Sequence, residues 1–169
     1  YLETLQTYTR NLGIDIVMVG WDKDGRIDLA ALRKACDSGT MAVAVQPPRI
    51  SLSPGTAAFA ATSGGSDPAS QAVAITNTGG GTLTGLNVSS IGYSSGATGW
   101  MTATLSSTTG PATLTLQPVV GNLLGGTYRA TVRLAAPGAA NTDSVRVTFT
   151  VTSPPRIAIS PTSVSFSAN

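Results

Sequence analysis

The chain has 169 residues, of which 11% are charged, well below the roughly 25% typical of soluble domains. Ten Lys and Arg against eight Asp and Glu leave a formal net charge of +2, too small and too scattered to indicate a nucleic acid or an anionic membrane as partner. No run approaches the ~18 apolar residues of a membrane span, and the length predicts one domain or one domain with a fragment.

Charge is unevenly distributed along the chain. Twelve of the eighteen charged residues precede residue 50, which indicates two regions of different origin. The single cysteine, Cys36, also lies in the first region, so no disulfide can stabilise the second. The second region must therefore hold its core by apolar packing alone.

Residues 1–46 predict a small α/β fragment. Apolar residues at helical spacing begin at Leu2, and a buried strand is expected over 14–19. Asp28 is a candidate N-cap for a second helix that ends near Ala35, and a second strand is expected over 40–45. Strand, helix and strand in this order are typical of a parallel sheet, giving a β-α-β fragment.

Four segments of this fragment carry a resemblance to a known family: LETLQTY at 2–8, LGI at 12–14, DGRIDLAAL at 24–32 and AVAVQP at 42–47. Together they resemble the N-terminal part, subunit 1, of glycine decarboxylase, the P-protein of the glycine cleavage system. The resemblance ends at Pro48 and implies pyridoxal phosphate as the family's cofactor. The cofactor lysine and the aspartate that contacts the pyridine ring lie outside this slice, so no cofactor-binding or catalytic residue is carried over. Lys23 and Lys34 are expected to be solvated surface charges.

An internal repeat organises the rest of the chain. The segment PPRISLSP at 47–54 returns as PPRIAISP at 154–161, 107 residues later (154 − 47), and Phe59 matches Phe166 in the same register. One complete repeat and the opening of a second are therefore expected, with residues 154–169 as the C-terminal tail. Modules of a tandem array usually act as spacers, display other domains or bind ligands.

From Ile50 onward the apolar period is two, and Gly, Pro and Asn mark the breaks. Eight strands are predicted, over 49–53, 57–61, 71–77, 83–89, 100–106, 112–118, 126–135 and 143–152. Short strands with turns about every ten residues predict an Ig-like antiparallel β-sandwich over residues 47–153. The predicted fold class is thus mainly β, with the α/β fragment in front.

Motifs spread over this module carry a second resemblance: ITNTGGGTL at 75–83, GWM at 99–101, GGTYRATV at 125–132 and VTFTV at 147–151. They are similar to BACON-like and related Ig-like repeats of bacterial surface and secreted proteins. The resemblance implies a spacer, adhesion or carbohydrate-binding role, with carbohydrate or neighbouring Ig-like repeats as partners. It transfers no catalytic or metal site.

The residues themselves argue against catalysis in the module. After Arg49 the acids are Asp67 and Asp143, and there is no Glu, His, Lys or Cys. A glycosidase needs two carboxylates about 5–10 Å apart, and a serine nucleophile has no base. Both aspartates lie in contexts typical of turns.

Binding is the remaining chemistry, and the candidates are aromatic rings and amides. Tyr93 is expected in an exposed loop over 92–99, Trp100 is either a ring for stacking on a sugar or a core anchor, and Asn87 is a hydrogen-bonding candidate. Tyr128 is either a further stacking ring or a core residue, since its alternation points inward, and Asn77 and Gln117 complete the set.

Two hypotheses follow. The first is a non-catalytic Ig-like surface or secreted module fused to an inactive fragment of a glycine decarboxylase subunit. The second is a part of glycine dehydrogenase (aminomethyl-transferring) subunit 1 with an appended β-domain, which would place the protein in the cytoplasm. In either case the C-terminal tail should be disordered or pair with a strand edge, here or on a second molecule.

Overall fold

The structure is a computed structural model that describes residues 2–9, 12–20, 27–40, 46–158, 160, 163 and 165–167. Two short helices precede eight strands: α1 Leu2–Thr9, α2 Leu29–Ala35, β1 Ile50–Ser53, β2 Thr56–Thr62, β3 Gln71–Asn77, β4 Asn87–Ser95, β5 Met101–Leu105, β6 Ala112–Pro118, β7 Gly126–Ala135 and β8 Asp143–Thr152. The predicted mainly β character is confirmed.

The strands form two four-stranded sheets, in the orders β1-β3-β6-β5 and β2-β8-β7-β4. The expectation that all neighbours are antiparallel is wrong for one pair, because β2 runs parallel to β8 with Thr56 beside Arg146 and Thr62 beside Thr152. The reason is that the chain passes from one sheet to the other between Ser53 and Thr56 without reversing. β2 therefore keeps the direction of β1, and this is also the direction of β8.

One apolar core lies between the two sheets and joins them into a sandwich. Side chains alternate inward and outward along each strand, as the period of two requires. On β8, for example, Val145, Val147, Phe149 and Val151 are all buried. The first sheet contributes Ile50, Val73, Ile75, Leu114 and Leu116 to the same cluster. Each such side chain stabilises the fold by about 1.5–3 kcal/mol through burial, and no polar or charged residue of the described ranges is buried.

The fourth strand lies further along the chain than the sequence predicts. It was expected over 83–89 but spans Asn87–Ser95. Leu83 and Leu86 are each 1% exposed although they lie in the preceding connection, and their backbone bonds go to a neighbouring connection, from Leu86 N–H to the Thr108 carbonyl at 2.8 Å. Two buried leucines in a loop imitate the pattern of a strand. As a consequence Tyr93 lies within β4 and not in a loop.

Of the N-terminal fragment, the two helices are confirmed and the first strand is wrong. Asp28 caps α2, since its Oδ1 accepts from the backbone N–H groups of Ala30 at 2.9 Å and Ala31 at 3.0 Å. Residues 14–20 form no strand, and Val17 and Met18 are 65% and 70% exposed. A parallel strand needs cover on both faces, which this short segment lacks. Residues 41–45 of the second expected strand lie outside the described residues.

Candidate functional site

The two aspartates of the sandwich bind backbone and are far apart. Asp67 Oδ1 accepts from the Val120 N–H at 2.7 Å, in the loops beyond β2 and β6. Asp143 lies at the start of β8, where Oδ2 accepts from the Leu52 N–H at 3.1 Å and Oδ1 from the Ser144 N–H at 2.8 Å. The expected turn role is therefore wrong for Asp143, which begins a strand and satisfies the edge of β1. The two carboxylates sit at opposite ends of the sandwich and cannot flank one scissile bond.

Pyridoxal phosphate, which the resemblance of residues 1–47 implies, does not fit the described residues. A Schiff-base lysine must be desolvated to be nucleophilic, whereas Lys34 is exposed on α2. Lys23 lies outside the described residues. Among the residues that the structure describes, no group of three or more His, Cys, Asp or Glu is placed to hold a metal ion.

Trp100 is the centre of an aromatic cluster in the core. It is 3% exposed, and its ring lies 5.6 Å from those of Tyr93 and Phe149 and 6.3 Å from that of Tyr128, measured between centroids. The contacts with both tyrosines are edge-on, the arrangement that aromatic pairs prefer. Of the two roles considered for Trp100, the geometry is that of a core anchor, because a buried ring cannot stack on a sugar.

The two tyrosines of this cluster use their hydroxyl groups on backbone. Tyr93 is half-buried, and its hydroxyl donates to the Met101 carbonyl at 3.4 Å. The Tyr128 hydroxyl donates to the Leu124 carbonyl at 2.9 Å. Neither ring stands free on a surface, so the expectation of an exposed Tyr93 is wrong, because β4 extends through its position.

A shallow pocket of about 290 Å³ lies beside Trp100. It is formed by residues 97–100, between β4 and β5, and by residues 119–123, between β6 and β7. The side chains of Thr98 and Asn122 are its polar contributions, and no charged residue lines it. The indole Nε1 of Trp100 is buried without a hydrogen-bond partner, so a ligand in the pocket does not reach it unless the ring moves. The pocket therefore offers two neutral polar side chains and no titratable group.

Asn87 lies away from this pocket. It is exposed at the start of β4, and its amide donates to the Gly85 carbonyl at 3.1 Å. Along β4 it is six residues from Tyr93, roughly 20 Å of strand. The structure therefore brings Tyr93 and Trp100 together and leaves Asn87 at the other end.

Several polar side chains converge at the place where the chain enters the sandwich, and they bind the backbone there. Residues 47–49 are the lead-in segment. Asn77 Oδ1 accepts from the Arg49 N–H at 2.9 Å and from the Gly79 N–H at 3.0 Å, and Asn141 Oδ1 accepts from the Ile50 N–H at 2.9 Å. Asn77 and Gln117 were considered as sugar-binding amides. Both are engaged with the protein's own backbone, Gln117 through the Pro68 carbonyl at 2.8 Å.

Backbone bonds and a close approach complete this attachment. The Pro48 carbonyl accepts from the Ala140 N–H at 2.8 Å, and the Arg49 carbonyl accepts from the Thr78 N–H at 2.9 Å. A Cβ atom at Gly79 would overlap the Pro47 carbonyl oxygen, so the residue must be glycine for the lead-in to lie there. The run NTGGG at 77–81 is the sequence signal for this contact. From the sequence it predicts only a turn, because nothing in the run identifies the lead-in segment as its partner.

No known protein family matches the chain. A stretch of 48 residues, 28% of this chain, is 50% identical to a protein described as "Probable glycine dehydrogenase (decarboxylating) subunit 1" from Anaeromyxobacter sp. (strain Fw109-5). The match covers 11% of that protein's length. It supports the resemblance of the N-terminal fragment to glycine decarboxylase. None of the helices in the described ranges has the length and apolar character to cross a membrane.

Proposed function

We propose that residues 47–153 are a non-catalytic Ig-like module of a secreted or cell-surface protein, and that the module acts as a spacer in a tandem array. One observation carries the proposal: the first copy of the repeated segment is the lead-in segment, β1 and the start of β2, which are integral strands of the sandwich. A second copy of the same segment, 107 residues on, therefore reads as the opening of a second sandwich.

The strand order supports the Ig-like assignment. The sheets β1-β3-β6-β5 and β2-β8-β7-β4 correspond to the A-B-E-D and G-F-C sheets of Ig-like sandwiches, with the first strand divided between the two. On this assignment the chain consists of an α/β fragment over 1–46, the module over 47–153 and the opening strands of a second module over 154–169.

A spacer role is favoured over carbohydrate binding because the binding candidates are already in use. Trp100 is in the core and Tyr93 packs against it, while Asn77 and Gln117 bind backbone. A spacer needs a stable sandwich with its two chain ends far apart, and the lead-in segment and the end of β8 satisfy this. The low charge of the module is compatible with an extracellular surface.

The connection to a following module would be short and stiff. β8 ends at Thr152, and Ile157 is the counterpart of the first residue of β1. Two of the four residues between them are Pro154 and Pro155, whose rings fix φ. The geometry of such a linker favours a fixed spacing between modules over free rotation.

A second candidate function is favoured by the 48-residue match. The chain would then be a piece of a glycine dehydrogenase subunit 1, active in glycine cleavage with pyridoxal phosphate and located in the cytoplasm, with the β-sandwich as an appendage. The sequence encoded upstream of Tyr1 discriminates the two. Further aminotransferase-type sequence there supports the enzyme, and a secretion signal or further PPRI repeats support the array.

A glycan array tests the spacer role against carbohydrate binding. The whole chain should bind no polysaccharide above background, and Asn87→Ala, which alters the exposed candidate, should behave identically. Specific binding that Asn87→Ala or Tyr93→Phe abolishes would replace the spacer role with carbohydrate recognition. Trp100→Ala is unsuitable here, because it empties the core and would abolish binding by unfolding the module.

A further inference from the structure

The outward face of the sheet β2-β8-β7-β4 carries a cluster of three arginines, the arginine cluster. Arg129 and Arg133 lie on β7 and Arg146 lies on β8, and all three are exposed. Thr131, between the two arginines of β7, is the direct neighbour of Arg146 across the sheet. Arg146 is therefore the diagonal neighbour of both other arginines, about 7–8 Å away, a distance that long side chains bridge. Charges that are scattered in the sequence are thus gathered at one place by the fold.

The arginine cluster has no neutralising anion within the described residues. After Arg49 the chain contains two acids, Asp67 and Asp143, and both carboxylates accept hydrogen bonds from backbone N–H groups. Asp143 is the neighbour of the buried Leu134, so it lies on the opposite face of the sheet. In the part of the chain that the structure describes, no hydrogen bond or ion pair engages the three guanidinium groups. Like charges close together on a sheet are destabilising, so the cluster does not serve the stability of the sandwich.

The cluster does not protect a sheet edge either. Proteins often shield an exposed edge strand from other chains with charged side chains. The arginines lie instead on β7 and β8, the two inner strands in the order β2-β8-β7-β4. A charge on an inner strand shields no edge, so the cluster needs another explanation.

A glycine in the middle of β4 leaves an open position beside the cluster. Gly92 is the neighbour of Thr131 on the outward face, and a Cβ atom added to it would meet nothing within 4 Å. Its φ is not positive, so neither conformation nor packing within the module requires glycine there. Glycine inside a strand weakens the strand and often marks a place where a ligand approaches closely. The arginine cluster and this open position together surround Thr131.

We infer that this face, around Thr131, is a binding site for a linear polymer that carries phosphate groups. The guanidinium group is a planar fork that donates two parallel hydrogen bonds to phosphate oxygens. Arg129 and Arg133 are four residues apart, about 13 Å along the strand, so the cluster offers several phosphate contacts in a row. The face of a sheet is open, which suits a chain better than a small molecule. The inference does not depend on the spacer role.

The other outward positions favour this ligand over other anionic partners. On the four strands of this sheet they are occupied by Ser, Thr, Ala, Gly and Asn. These positions therefore offer no aromatic ring for stacking on nucleic-acid bases and no large apolar side chain for insertion into a membrane surface. A sugar polymer without phosphate lacks the charge that the arginines would bind.

Titration with inorganic polyphosphate tests the site on the whole chain. Isothermal titration calorimetry at low ionic strength should show binding that weakens as sodium chloride is added. Arg146→Gln should weaken the binding about tenfold or more, because a charge-assisted hydrogen bond is lost. Its free energy of unfolding should stay the same or rise, because repulsion within the cluster is relieved. Arg146→Lys keeps the charge without the fork and should lose part of the affinity.

Two further variants separate a defined site from general attraction to a basic protein. Arg49→Gln removes the same charge from the lead-in segment, where Arg49 is exposed, and should leave the affinity within about twofold, since distant surface charges are screened. Gly92→Val fills the open position without changing the charge and should weaken binding, while circular dichroism shows the fold retained. Equal losses in Arg146→Gln and Arg49→Gln, or an unchanged affinity in Gly92→Val, would overturn the inference.

Three other probes distinguish a phosphate polymer from other anions. Polyglutamate presents carboxylates, single-stranded DNA presents phosphates together with bases, and phosphatidylglycerol vesicles present phosphates on a membrane. The whole chain should bind each of them more weakly than inorganic polyphosphate at the same concentration of charge. Equal or tighter binding of any of the three, or no binding of polyphosphate, would contradict the inference.

Discussion

At the residue scale, two kinds of side chain hold the sandwich together. Alternating apolar residues fill the core, and a small number of Asn and Asp side chains satisfy backbone N–H groups where the sheets have edges. Asn141 and Asp143 serve β1 in this way, at Ile50 and Leu52. β1 therefore does not present a free edge to other chains on this side. The carboxylates of the module thus have a structural role in place of a chemical one.

The close approach at Gly79 gives the first prediction. Gly79→Ala forces a Cβ atom against the Pro47 carbonyl and the backbone of residues 48 and 49, so the lead-in segment must detach. The free energy of unfolding should fall by about 1–3 kcal/mol, the typical cost of overpacking, as measured by urea denaturation. Gly92→Ala is the control, because nothing lies within 4 Å of its added Cβ. Equal effects in the two variants would contradict the attachment.

The hydrogen bond of Asp67 gives the second prediction. Its single described bond, to the Val120 N–H, needs an acceptor oxygen and no charge. Asp67→Asn should keep most of the stability, whereas Asp67→Ala should lose about 1–3 kcal/mol, because a partly buried N–H is left without a partner. Thermal denaturation measures both. A loss in Asp67→Asn as large as in Asp67→Ala would show that the negative charge matters.

Much of the residue-level packing was predictable, since a period of two identifies the buried side of a strand. The period of two along the predicted strand over 143–152 places Val145, Val147, Phe149 and Val151 on one face, and all four are buried. The sequence left two roles open for Trp100, because tryptophan occurs both in protein cores and in sugar-binding sites. Its neighbours, and not its sequence context, decide between them.

At the element scale, the sequence locates strands better than it assigns them to sheets. β3, β6, β7 and β8 have the predicted bounds. β4 was displaced because buried leucines in a loop have no periodic signature of their own. Nothing in the alternation indicates that β2 pairs with β8 in parallel, since this depends on the chain changing sheets after Ser53. The strand expected over 14–19 is absent because a buried parallel strand needs cover on both faces, which this exposed segment lacks.

The repeat offers a matched prediction at this scale. Phe59 and Phe166 are the same residue at equivalent positions, 6% and 93% exposed respectively. Phe59→Ala should lower the stability of the monomer by about 3–5 kcal/mol, and Phe166→Ala should leave it unchanged. Chemical denaturation measures both.

Deleting residues 154–169 belongs to the same prediction and should leave the unfolding midpoint of the sandwich where it is. Comparable losses from Phe59→Ala and Phe166→Ala, or a large drop on deletion of the tail, would mean that the tail packs on its own module.

At the scale of the whole molecule, the lead-in segment and the tail lie at opposite ends of the sandwich. The lead-in segment is bound near Asn77 and Asn141. β8 ends at the other end of the sandwich, and the tail begins there. Leu124, 75% exposed, lies at this exit end, as does the shallow pocket beside Trp100. A following module would therefore stand end to end with this one, and its position would be set by the short proline linker.

The most direct test of this account is the shape of a two-module chain, in which residues 63–153 are joined again after residue 169 so that the tail opens a complete second sandwich. Ten residues of β8 and the linker correspond to a repeat of roughly 40–50 Å. Small-angle X-ray scattering should then give two folded bodies in line, with a maximum dimension about twice that of the single module. A compact particle with the modules side by side, or a second module that remains unfolded, would contradict the account.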